Sequence, residues 1–502
     1  MEPLTWTGQF GTFLNPIMLA AVVVFFAAAI LNFVIGFAGI RAGGYEVNDE
    51  GTMVMNRTPS DYLLMAMQFA VLVFLACCVG FIIGGIVLPE MAQKGILGAV
   101  GQRLLPVWIA LIVTFALSIT FKARLGLYGK LFNSSIGMVG FGLVMFWVYA
   151  ALFSAWVAPF DALDQISSLR NDIPGTPTPE GEAYSHYLFG GDRLGRDVFS
   201  RVILGSTFVL QIAPLATVFA FMVGITLGLP AGYFGGRLDT ILTFVANLVL
   251  AFPVILLFYL LVTPEIVAAG LPQYMSMVLF LFPIIFLVTL FNSRFHTQPK
   301  RRNLLVGLTV LIGGLLYLSL ISDRGTVIDV LGWSRLPESW PDRISLGLFS
   351  IPLPQSLDLF DIGGNILIVF VSVVFVNSPT VFRIVRGITL DIKTRDYVAA
   401  AQTRGEGPWY IMLWEILPNA RGPLIVDFCL RIGYTTILLG TLGFFGLGLS
   451  PESPDWGSTI NEGRSLLTVY PHPALPPALA LMSLVLGLNL LADGLREESL
   501  KD

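Results

Sequence analysis

The chain has 502 residues, of which 55% are hydrophobic and only 12% charged, and its mean hydropathy is +0.79. That balance excludes an ordinary soluble domain and defines a polytopic membrane protein. The net charge of −4 says little by itself, because charge is sorted by loop, and no nucleic-acid partner is implied.

Several apolar runs are about 20 residues long, enough to cross a bilayer as helices. In hydrocarbon each backbone polar group needs an internal partner, so helices are expected, and the alternation of a β-barrel is absent. The chain is therefore read as an all-α polytopic membrane protein. Its N-terminus, MEPLTWTGQFG, lacks a basic region, so no cleaved signal peptide is expected. Cys77, Cys78 and Cys429 all lie in apolar runs without metal spacing and read as small core residues.

The first three predicted spans are Ile17–Ile40, Tyr62–Leu88 and Leu104–Phe121. A basic stretch with Lys122, Arg124 and Lys130 follows, then a fourth span at Ile136–Val157. The polar segment from Asp161 to Arg201 holds seven acids against four arginines, which assigns it to the outer side. The fifth and sixth spans are Ser206–Pro230 and Ile241–Val262, joined by AGYFGGRLD. Two further spans, Met275–Phe291 and Leu304–Ile321, flank NSRFHTQPKRRN, whose Arg294, Lys300, Arg301 and Arg302 assign it to the cytoplasm. Ser322–Gly364 carries six acids against three arginines and is expected outside. The ninth span is Ile366–Phe382, the tenth Pro423–Leu447 and the eleventh Leu475–Leu491. An external Pro/Gly/Trp loop separates the last two. The C-terminus then lies inside and the N-terminus outside.

Between the ninth and tenth spans lies a polar island, TRDYVAAAQTRGEGPWYIMLWEILPN, flanked by Arg383, Arg386, Lys393, Arg395 and Arg421 and so cytoplasmic. Asp396 is expected to cap a short helix whose Ala399, Ala400 and Ala401 permit close approach by a partner. Gly405 tolerates a left-handed helix end. Pro408 fits the first turn of a second helix, and Pro418 is expected to stop it. A solvated loop with ordinary caps is the plainer alternative.

Other features carry less chemistry. There is no G-x-x-x-x-G-K-[ST] pattern for gripping phosphate, so this chain is expected to hold no such ATPase site. His186, His296 and His472 are too scattered for a metal cluster and read as surface polar residues. Gly36, Gly84 and Gly85 read as close helix-packing positions. Asp427 and Arg431 stand four apart within the tenth span and can pair on one helix face, either as a structural ion pair or as a gate contact.

The island's AAAQTRGEGPWYIMLWEILPN resembles the EAA signature of bacterial ABC-importer permeases, matching at Ala400, Ala401, Gly405, Leu417 and Pro418. It departs at Ala399, where the family usually has Glu, and at Glu415, where a basic or aliphatic residue is common. Asp396, Arg404 and Glu406 are then candidate substitutes for the lost polar contact. GGDRLGRDVFSRVILGS, with Asp192, Gly195, Arg196, Asp197 and Arg201, looks like the external-loop segment of the dipeptide/oligopeptide (and nickel) permease family, second-permease type. AGYFGGRLDTILTFVANLVLAFP, GFFGLGLSPESPDWGSTINEGR, LNLLADGLRE and APFDALDQ are similar to other signatures of that family. Leu439 departs from a position that is often acidic.

The resemblance implies a six-helix type I permease core with about five extra transmembrane helices. The implied division is an N-terminal extension over 1–125, a first core part over 126–262 with external loop 159–203, a two-helix insertion over 263–363, and a second core part over 364–502 with a coupling loop at 383–421. It implies a non-catalytic subunit in the bacterial inner membrane that forms half of a pathway, with peptides as the leading substrate class. Implied partners are a second permease as heterodimer, two ATPase subunits carrying ATP and magnesium, an extracytoplasmic substrate-binding protein and the lipid bilayer. No cofactor is expected in this chain. An ion-driven secondary transporter or a membrane scaffold is the alternative; only Asp427 and Arg431 speak for the former, and no internal repeat is evident.

Overall fold

The computed structural model describes residues 3–37, 45–47, 53–55, 58–322, 343–346, 349–352, 364–447 and 453–499. Most of the predicted external stretch at 322–364 and the start of the one after 447 lie outside these residues. Among the described residues, nine helices are long and apolar enough to cross a membrane. A tenth candidate is the pair Gly236–Ala251 and Val254–Val262, bent by 85° within the predicted sixth span. Phe252-Pro253 falls at the bend, where proline withdraws a backbone donor. The predicted span at 304–321 lies inside the helix Pro299–Ser322.

The chain divides into two compact units. One comprises Met1–Ala110, Phe153–Ile203 and Gly463–Pro476. Here helix Gly11–Phe37 packs on Pro59–Val87, which packs on Met91–Arg103. Gly85 meets the backbone of Gly98 so closely that a Cβ has no room, while Gly36 has open space beside it, so close packing explains the first and not the second. The N-terminal residues hydrogen-bond across to Met91–Arg103: Ile96 N–H donates to the Thr5 carbonyl at 3.1 Å and Leu97 N–H to that of Trp6 at 3.0 Å. Leu4 N–H donates to the Gly175 carbonyl at 2.9 Å. The N-terminal segment therefore shares a side with the acid-rich loop.

The second unit comprises Leu111–Leu152, Leu204–Glu462 and Pro477–Asp502. Small residues govern its helix contacts, because apolar surface alone gives no drive for association in lipid and close approach is what stabilises the pairs. Gly224, Gly228 and Gly232 repeat every fourth residue along Val198–Phe234 and receive Val381, Val385 and Thr389 of Gly364–Ile392. Gly140 faces the backbone of Gly487–Leu491 in the last helix, Leu475–Ser499. Asn377 ties Gly364–Ile392 to Arg421–Phe444 through the hydroxyl of Thr435 at 3.2 Å.

A Cβ at Gly228 would lie 2.9 Å from that of Val385. Gly228→Leu is expected to destabilise the helix pair by about 1–3 kcal/mol. Gly307→Ala, in open space on a helix, is the neutral control. Size-exclusion thermostability of the detergent-solubilised protein should separate the two.

Candidate functional site

The polar island forms two short helices joined at a sharp turn. The first, Asp396–Thr403, begins at Asp396 with Arg395 in the cap position. The expected capping role of Asp396 is not what forms: Asp396 is already helical, and no side chain caps this end. Its carboxylate still sits at the positive end of the helix dipole. The helix ends at Gly405, whose φ is +79°. Gly405 N–H donates to the Gln402 carbonyl at 2.9 Å and Glu406 N–H to that of Ala401 at 3.3 Å. These are the two bonds of a Schellman cap, which needs a residue free to adopt the left-handed region.

The second helix starts at Pro408 after Gly407 and runs through a π turn, Ile411–Ile416, into Leu417–Asn419. The helix ends at Asn419, one residue past Pro418, and the chain turns at Ala420 before the next membrane helix, Arg421–Phe444, as expected of Pro418.

The two helices have opposite faces. Val398, Ala401, Ile411, Met412, Leu413 and Ile416 are buried in one cluster with Leu229, Val381, Val385, Ile392 and Leu424 from three membrane helices. Ala401 has no exposed surface. Ala399, Ala400, Arg404, Gly405 and Pro408 are exposed, as are the rings of Tyr397 and Trp409, and Glu406 is half-buried. Leu417 is half-buried against the cluster and Pro418 exposed. The neighbouring alanines 400 and 401 thus point opposite ways. Arg404 bridges to Glu415 at 2.9 Å and so ties the first helix to the second. Glu415, one of the two positions that depart from the EAA pattern, supplies this internal contact. Burial pushes the Tyr397 phenol up from its ordinary value.

Sequence reasoning missed how the loop is braced. Asp239, in the GGRLD turn, forms a two-point ion pair with Arg386, its second bond at 2.7 Å. Lys393 Nζ donates to the Gly232 carbonyl at 2.9 Å. An acid in a glycine-rich turn and an arginine far along the chain give no local sign of pairing.

Asp427 and Arg431 do pair, at 3.2 and 3.3 Å through two parallel bonds, with both side chains largely buried. Leu439, on the same helix, is buried.

In the other unit the external-loop motif is a buried knot. Asp192 accepts from the backbone N–H of Leu194 and Arg196 and from Arg196 Nε at 2.6 Å. Gly195, with φ +81°, directs its carbonyl to Tyr187 Oη at 3.0 Å. Asp197 caps the long helix by accepting from Ser200 N–H at 2.9 Å and Oγ at 2.7 Å. Arg201, fully buried, donates to the Ala162 carbonyl at 3.1 Å. These charges hold the loop's shape from within, and its exposed acids are others: Asp161, Asp164, Glu180 and Glu182. His186 and His472 are buried in the same unit, where burial pushes both below their ordinary value; the expectation of surface histidines fails for these two because the loop folds over them. His296 is exposed.

Comparison with known proteins agrees with this architecture. Residues 224–497, more than half of the chain, match the family described as binding-protein-dependent transport system inner membrane component. The chain belongs to that family: it is a multi-pass inner-membrane permease subunit of a binding-protein-dependent, ATP-driven importer. Among curated proteins it is similar to the glutathione transport system permease protein GsiD of Pectobacterium atrosepticum, 27% identical over 354 residues, 70% of this chain and 83% of the relative. The GsiD proteins of Escherichia coli O6:K15:H31 and Shigella boydii are each 27% identical over 358 residues, 70% of this chain and 82% of the relative.

Two measurements follow from these sites. Burial raises the Asp197 carboxyl from 3.8 to about 6 against the pull of the Ser200 bonds and the Arg103 charge. A raised acid stabilises the fold below its unfolded pKa and loses that contribution as pH rises through the folded value. Asp197→Asn should therefore flatten the fall in thermal stability of the solubilised protein between about pH 4 and 6. For the membrane pair, Asp427→Ala leaves Arg431 uncompensated and is expected to cost about 3–5 kcal/mol. Exchanging the two charges, Asp427→Arg with Arg431→Asp, should recover much of the loss in melting temperature.

Proposed function

We propose that Asp396–Asn419 is the loop through which two ATPase subunits drive this permease. The carrying observation is its two-faced construction. One face is continuous with the ends of three membrane helices, and the other presents Tyr397, Ala400, Arg404, Gly405 and Trp409 outward. Exposed aromatic rings beside small residues suit a protein contact. An open cleft of 550 Å³ lies alongside, lined by Asp391, Arg395, Tyr397 and Asn419 among others.

ATP and magnesium sit on the ATPases in this reading. Their closure displaces the loop, and its rigid attachment re-tilts the helices, a two-state switch biased by nucleotide. The basic residues around the loop put it in the cytoplasm, with the C-terminus, and leave the N-terminus outside. A second permease supplies the other half of the pathway, and an extracytoplasmic binding protein delivers substrate to the acid-rich outer loop. Residues 126–262 and 364–502 act as the core, 1–125 and 263–363 as additions. Peptides are the substrate class: the similar permeases carry glutathione in their names, and glutathione is itself a tripeptide.

The two alanines test the reading. Ala400→Trp keeps the fold and reduces co-purification of the ATPases about ten-fold or more. Ala401→Trp overpacks the buried cluster and prevents assembly of the permease itself. Normal ATPase recovery and hydrolysis with Ala400→Trp would reject the loop as the coupling surface.

A further inference from the structure

The family likeness explains a six-helix core and leaves the inserted helices without a task. Their cytoplasmic end touches the loop. The inserted helix Leu281–Arg294 ends in Ser293 and Arg294. Ser293 is buried; its hydroxyl donates to the Leu290 carbonyl at 3.0 Å and accepts the Trp414 indole N–H at 3.1 Å. The Arg294 guanidinium lies over the Trp414 ring, 4.4 Å from its centroid. The His296 ring meets the Tyr410 ring edge-on at 5.6 Å. Phe286 of the same helix packs against the buried cluster that contains Met412 and Ile416.

Tyr410 and Trp414 are four residues apart, so they share one face of the loop helix. Met412 and Ile416 are buried in the core cluster, against which Trp414 also packs. The loop helix is thus gripped on two sides, by the core helices and by the insertion. The gripped stretch contains the π turn Ile411–Ile416, an uncommon form with wider hydrogen-bonded rings that is frequent at functional sites. A displacement of the loop must carry the inserted helix with it or break the contacts at Ser293, Arg294 and His296.

We propose that the insertion is a strut on the coupling loop: Ser293, Arg294 and His296 hold Tyr410 and Trp414, and so fix how far ATPase movement reaches the membrane helices. These are positioning residues, acting only through the loop, and the proposal rests on the reading of that loop given above.

The test uses the whole importer, permeases and ATPases together, in lipid nanodiscs. ATPase stoichiometry, KM for ATP and kcat of hydrolysis are measured for Arg294→Ala, Trp414→Leu, the double variant and Arg294→Lys. Each single variant should lower kcat about three-fold, the scale of an exposed cation–π contact, with stoichiometry and KM unchanged. The double variant should fall no further than one single, and Arg294→Lys should recover most of the rate. Unchanged kcat, or losses that multiply in the double variant, would overturn the strut. Arg294 is exposed, so its two variants decide the matter even if Trp414→Leu fails to assemble. Ala400→Trp keeps the readings apart. If it sheds the ATPases while Arg294→Ala changes nothing, only the strut falls. If it retains them, the coupling loop itself is misassigned.

Discussion

Ala401 has no surface left to water, and the seat of the loop on its membrane helices depends on that burial. It lies in one cluster with Val398, Ile411, Met412 and Ile416 of the loop and Leu229, Val381, Val385 and Leu424 of the membrane helices. Dense apolar packing of this kind transmits displacement because it has few soft directions. A loop joined to its helices only by polar contacts with water would not. The same short helix turns Ala400 outward one residue earlier, so a rigid inner contact and a free outer surface share a single turn.

The glycine stripe supports this from below. Gly224, Gly228 and Gly232 let Gly364–Ile392 lie against Val198–Phe234, and the second of these helices contributes Leu229 to the cluster. Asp239 and Arg386 fasten the same region at the turn that follows. Close helix approach, a two-point ion pair and a buried loop face are therefore successive levels of one attachment. The charges in the outer motif do the corresponding job in the other unit. Asp192–Arg196, Asp197 and Arg201 are spent on loop geometry, and the exposed acids of that loop are others.

The sequence made much of this legible. Apolar runs locate the helices. Gly405 was readable as a left-handed cap because few other residues adopt φ +79° without strain. Pro418 was readable too, since the second helix ends one residue beyond it, at Asn419. Asp396 misled, because backbone geometry put the cap one residue earlier. His186 and His472 misled because polarity in a loop says nothing about whether that loop folds over itself. The contacts of Asp239 with Arg386, and of Ser293 with Trp414, were invisible, since tertiary pairing between distant segments leaves no local period.

Glu415 shows how a departure from a family pattern becomes informative once its neighbours are known. Taken alone it is an acid where a basic or aliphatic residue is common. Beside Arg404 it closes an ion pair across the Gly405 turn. That turn is otherwise held by two backbone bonds and has open space around Gly405. An exposed ion pair adds little stability by itself. Its effect is on geometry: it joins the first loop helix to the second across the turn. Trp414, the residue before Glu415, is held by Ser293 and Arg294. Adjacent residues thus make two contacts of the second helix, Glu415 within the loop and Trp414 with the helix Leu281–Arg294.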